Sequence, residues 1–154
     1  MCVQPDERSI MCLLADHEHA MARLYRAYAR RFPERQDFWS RLADEEDQHA
    51  KWLQRLLIRV EEGLGCVRPE RFDRSAVDDS MQQIARMINE AAKPEFSMAE
   101  ALQAAMTLEQ TLLEAKYFEV FEGTAAEVVQ VQYCLADALI DHRKLIYEMM
   151  SPPT

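Results

Sequence analysis

A chain of 154 residues fits one domain and is long enough to bury a core. Three Gly and six Pro are too little turn chemistry for a many-stranded sandwich or barrel, whereas the abundant Ala, Leu, Met, Glu, Gln and Arg predict an all-α fold. A formal charge of −9, from 27 acidic against 18 basic residues, argues against nucleic acid as a partner. No stretch approaches the roughly 20 apolar residues of a membrane span.

The first predicted helix runs from about Asp6 to Phe32, where Pro33 disfavours helical geometry in the residue before it. The second follows from about Gln36 to Glu62, with Gly63 as the left-handed residue that closes it. Residues 64–75 read as loop, after which Ala76 to Ala92 form a shorter helix capped by Ser75. Ser97-Met-Ala-Glu100 is a capping box that opens the third long helix, expected to reach Glu122. Gly123 ends it, and Thr124-Ala-Ala-Glu127 is a second capping box that starts the fourth, which continues to about Met150. Two hairpins of long helices joined by a crossover describe a single-domain four-helix bundle over residues 1–154.

An internal repeat relates the two hairpins. Leu42-Ala43-Asp44-Glu45-Glu46-Asp47-Gln48-His49-Ala50-Lys51 aligns without a gap on Leu135-Ala136-Asp137-Ala138-Leu139-Ile140-Asp141-His142-Arg143-Lys144. Glu18 and Glu109 precede His49 and His142 by nearly equal distances. In Glu46-x-x-His49 the two side chains lie about 60° apart on one helix face, one turn from each other, so both can reach one metal ion. Their neighbours Leu42, Leu53 and Leu56 are apolar, and Glu18 and Glu109 are similarly flanked by Leu14, Met21 and Ala22 and by Leu102, Ala105, Leu112 and Leu113. A carboxylate buried without a partner costs several kcal/mol, so inward acids demand a cation or strong hydrogen bonds. The bland alternative has each acid lean to the rim or pair with Lys or Arg.

With these residues the sequence resembles the ferritin-like superfamily, in particular small rubrerythrin-like proteins. Arg31-Phe32-Pro33-Glu34 leading to Phe38-Trp39 and Leu42-Ala43-Asp44-Glu45-Glu46 is also similar to that family. The resemblance implies a bundle with one long crossover containing a short extra helix. It also implies a di-iron or di-manganese centre held by Glu18, Glu46, His49, Glu109 and His142. Leu139 stands where the family's second bridging Glu belongs, which predicts a weaker second half-site. The implied activity is redox chemistry with dioxygen or peroxide, of ferroxidase or peroxidase type, and the implied assembly is a homodimer. A degenerate helical protein with a single-metal or purely structural role is the alternative.

Other residues carry lesser expectations. Asp137 and Asp141 point off the His142 face, and Glu45 needs a partly unwound helix to turn inward, so no substitute for the missing Glu is evident. His17 and His19 flank Glu18 on other faces and are expected in solvent. Tyr25 and Tyr117 are candidate hydroxyl donors to ligating carboxylates, with core packing as the alternative. The nine methionines read as gap fillers, and Cys134 as a small buried hydrophobe. Cys2, Cys12, Cys66 and Cys134 show no metal-ligand spacing and no paired CxxC for a built-in rubredoxin-type electron donor. The first residues lack a basic segment followed by an apolar run, and the expected setting is a reducing cytoplasm.

Overall fold

The computed structural model describes residues 5–115 and 117–151, with the side chains of residues 7–112 and 119–151. Its long helices are α1 (Pro5–Arg31), α2 (Gln36–Glu61), α3 (Arg74–Ala91), α4 (Met98–Ala115) and α5 (Ala126–Met150). The fold is mostly helical, as composition requires. No described helix is long and apolar enough to cross a membrane.

Side-chain pairs fix the helix directions. Arg8 meets Glu61, His19 meets Asp47 and Arg26 meets Asp44, so α1 and α2 are antiparallel. Arg74 bonds Ser9, His17 meets Ser80 and Arg31 bonds the carbonyl of Pro94, so α3 runs beside α1 in the same direction. This crossover carries the chain back to the Arg31 end, where α4 begins. In consequence α5 runs opposite to α2, through Glu45 with His142 and Arg59 with Glu127. The same ordering makes α4 antiparallel to α5, through Glu109 with His142 and the Phe121 carbonyl with Gln132.

Several boundaries differ from the sequence expectation. The Ser97 hydroxyl accepts from the Glu100 amide as foreseen, and Gly63 ends α2 with φ of 81°. The crossover helix instead begins at Arg74, because the Asp73 carboxylate accepts the Ala76 amide and takes the role expected of Ser75. The fourth long helix starts at Ala126 with no side-chain cap from Ala125, so the Thr124 capping box is not made. The third stops at Ala115 rather than Glu122, giving way to a short 3-10 turn over Tyr117–Val120 and to β2 (Phe121–Glu122). β2 pairs antiparallel with β1 (Cys66–Val67). The run Tyr-Phe-Glu-Val-Phe favours extended backbone over helix, and the crossover loop supplies the ladder partner that sequence periodicity cannot reveal. Where the loops cross, a Cβ on Gly123 would sit 3.0 Å from the Leu64 carbonyl oxygen, so the close approach favours glycine.

One end of the bundle is closed by aromatic side chains. Trp39 packs edge-on against Tyr28 at 4.8 Å between ring centres and against Phe38 at 4.9 Å, while Tyr28 stacks on Phe96 at 5.8 Å. Such pairs add roughly 0.5–1.5 kcal/mol each beyond area burial. They stiffen the helix pairs about two to three turns from the polar centre.

Candidate metal centre

Five ionisable residues meet in the middle of this apolar bundle. Glu18, Glu46, His49, Glu109 and His142 are each between 0% and 5% exposed. The apolar side chains around them, Leu14, Met21, Leu42, Leu53, Leu102 and Leu135, are buried too. The inward placement follows from helical period: one face carries both the Leu residues and the Glu and His residues of each helix.

Glu46 lies at the centre. Its Oε2 is 3.1 Å from Nδ1 of His49, and its Oε1 is 2.9 Å from Nδ1 of His142. Glu18 Oε2 is 3.8 Å from the same His49 nitrogen, and Glu109 Oε1 is 3.2 Å from the same His142 nitrogen. The residues therefore fall into two groups, Glu18 with Glu46 and His49, and Glu46 with Glu109 and His142. Within each group one ligand atom per residue lies inside 4.8 Å of the others. The imidazole rings stack at 5.4 Å between centres, one over each half. The two halves offer the same donor types and share the Glu46 carboxylate. Leu139 is buried in the core one turn before His142.

The electrostatics are those of a cluster that needs positive charge. Burial, then the Glu46 charge and a hydrogen bond with Glu46, push the Glu18 carboxyl up to about 7. Burial opposes the charge of Glu46, but hydrogen bonds with Glu18 and His49 and the neighbouring His142 ring outweigh it and hold Glu46 below the usual carboxylate range. Burial pulls His49 down, while the adjacent Glu18 and Glu46 carboxylates carry it up to about 10. His142 is raised further by Glu109, Glu45 and Glu46, again against burial. Without a metal, imidazolium protons supply the balancing charge. Even so, Glu109 Oε2 is buried with no hydrogen-bond partner, and the contact between Glu46 Oε1 and His142 lies off hydrogen-bond geometry. Orphaned anionic oxygens beside imidazole nitrogens fit a bound metal ion.

The surrounding residues hold the donors. The Tyr25 hydroxyl donates to Glu109 Oε1 at 2.6 Å, so Tyr25 takes the donor role considered for it. The Tyr117 side chain, like Cys2 and Leu113, lies outside the described residues. Glu45 corrects the expectation made of it: α2 is unbroken there, and Glu45 Oε2 still lies 2.7 Å from Nε2 of His142. It reaches the ring from α2, with a carboxyl lowered to about 2 chiefly by that hydrogen bond. Four carboxylates thus surround the two imidazoles although Leu139 is apolar.

His17 also departs from expectation. It is buried rather than solvated, with Nε2 2.7 Å from the Ser80 hydroxyl, because α3 packs over that face of α1. Burial pushes the ring below its ordinary pKa. His19 is 40% exposed in its side chain and pairs with Asp47 at 3.0 Å. Cys134 is half-buried, at the edge of an opening between α2 and α5 that Glu45, His49, Asp137, Asp141 and His142 also line.

Comparison with known protein families, with curated proteins and with solved structures gave no match to this chain. The functional reading therefore rests on the site.

Proposed function

We propose that this chain is a ferritin-like, rubrerythrin-like protein that binds two divalent ions, iron or manganese, and uses them in redox chemistry with dioxygen or peroxide. The observation that carries the reading is Glu46, whose two oxygens face two different buried histidines. Glu18 and His49 would complete one position, and Glu109 and His142 the other. A bound iron or manganese pair would supply the electrons for reduction of the oxidant. The chain's own part is to hold the ions and exclude bulk water. Tyr25 fixes Glu109 by its hydroxyl, and Glu45 holds the outer nitrogen of His142, which leaves Nδ1 directed at Glu46 and Glu109. Closing the centre in apolar side chains strengthens each charge interaction there.

Leu139 favours a second reading, in which one ion binds and the bundle serves a structural or binding role. Metal analysis separates the two. Under the first reading, protein supplied with Fe(II) or Mn(II) holds two ions per chain, and Glu46→Gln loses tight binding at both positions. One ion per chain, or none, overturns it.

We further infer that two copies pair through α5. Val129, Tyr133, Ile140 and Tyr147 are each about half exposed or more, and their spacing places them within about 40° of one another on that helix. Sedimentation of the wild type and of Tyr133→Lys with Tyr147→Lys tests this: the wild type is expected as a dimer and the variant as a monomer.

A further inference from the structure

A separate cavity reaches the centre from the crossover side. It measures about 80 Å³ and lies between α1, α3 and α4. Leu14, Val77, Phe72 and Leu112 form its apolar walls, and Glu18 lies at its inner end. A water molecule needs roughly 10–15 Å³ on this measure, and a dry apolar cavity of about 150 Å³ takes up benzene or xenon, so the space suits a molecule of two or three heavy atoms. His17 and Ser80 also line it, but each is buried and engages the other at 2.7 Å, which blunts the polarity of the wall. Ala76, which is exposed, and Arg71 stand at the outer rim.

The other opening, between α2 and α5, has the opposite character. Glu45, Asp137 and Asp141 outnumber Arg41 along it, beside both site histidines, so its lining favours cations. At the mouth of the crossover cavity Arg71 and Asp73 offset each other, the apolar walls behind them hold back a cation, and an anion meets the carboxylate of Glu18. Neutral apolar molecules meet neither obstacle. We propose that the cavity between α1, α3 and α4 is the seat from which dioxygen reaches the Glu18 side of the centre. The purpose of the seat rests on the metal reading, but its occupancy does not.

Occupancy can therefore be measured on metal-free protein. Under dioxygen pressure the paramagnetic gas speeds the relaxation of nearby methyl groups. Those of Leu14, Val77 and Leu112 are expected to relax several-fold more than those of Leu24 and Ile146, which are buried elsewhere. Ala76→Phe, at an exposed helix position, should plug the mouth and abolish the difference. Uniform enhancement across the core in the wild type, or an unchanged pattern in Ala76→Phe, overturns the proposal. In protein loaded with Fe(II), the same variant should keep its metal content and react more slowly with dioxygen. An intact gas pattern with no bound metal would retain the cavity and remove the metal reading instead.

Discussion

Glu45 Oε2 lies 2.7 Å from Nε2 of His142, on the side of the ring away from Nδ1, which faces Glu46 and Glu109. Adjacent residues of one helix thus grip the same imidazole from two sides. They can do so because His142 projects from α5 between them, and because Glu45, about 100° around α2 from Glu46, points along the α2 and α5 interface. A carboxylate on the outer nitrogen fixes ring orientation and raises donor strength at the inner one. Removing such a partner costs roughly 10–100-fold in metal affinity in known centres. Glu45→Gln should therefore weaken the Glu109 and His142 position by that factor and leave the Glu18 and His49 position unchanged. A two-site titration with Mn(II) reads both, and equal weakening at both would show that Glu45 acts otherwise.

His49→Ala should lower bound metal per chain far more than His17→Ala. His49 lies 3.1 Å from Glu46, whereas His17 engages Ser80 behind α1 and is absent from both donor groups. His17→Ala should instead lower thermal stability by roughly 1–3 kcal/mol, the cost of leaving a buried polar partner unpaired. Equal loss of metal in the two variants would contradict the ligand assignment.

The donors were legible in the sequence because spacing of three on an apolar helix face is a local property. Glu46 and His49 declare themselves by it, and the gapless repeat carries the same reading to His142. Glu45 was not legible, since its reach depends on how far α5 is shifted along α2. His17 was misjudged for a similar reason: its neighbours mark no face of their own, and only the docking of α3 buries it. The early end of α4 depends on a ladder between Cys66–Val67 and Phe121–Glu122, more than fifty residues apart in sequence. Long-range placement decided each of these, and local period decided the rest.

Metal-free protein should lose stability as pH rises from about 5 to 10. The Glu18 carboxyl is raised from 4.5 to about 7 and His49 from 6.5 to about 10. A group with a raised folded pKa contributes fully below its unfolded value and loses that contribution as pH climbs to the folded value. Each pH unit over which the folded chain holds one extra proton removes about 1.4 kcal/mol, or roughly 3–5 °C of Tm for a chain of this size. Bound metal replaces those protons and should flatten the profile across the same window. Thermal melts of both forms between pH 5 and 10 check this, and a rising profile without metal would show that the histidines are neutral there.

Leu139→Glu provides the sharpest test of how far the centre matches the carboxylate pattern it resembles. Leu139 is 4% exposed and stands one turn before His142 on the same face of α5. A carboxylate there faces a core that already holds Glu18, Glu46 and Glu109, so without metal it suffers both desolvation and repulsion. The metal-free variant should melt several degrees below the wild type. With metal the sign reverses, because a further anionic ligand raises the attraction for a divalent ion and the ion offsets the buried charge. The variant should therefore gain more from added Mn(II) or Fe(II) than the wild type does, in Tm as well as in affinity. A variant that melts low and is not rescued by either metal would place position 139 outside the reach of a bound ion and would favour the single-metal or structural reading.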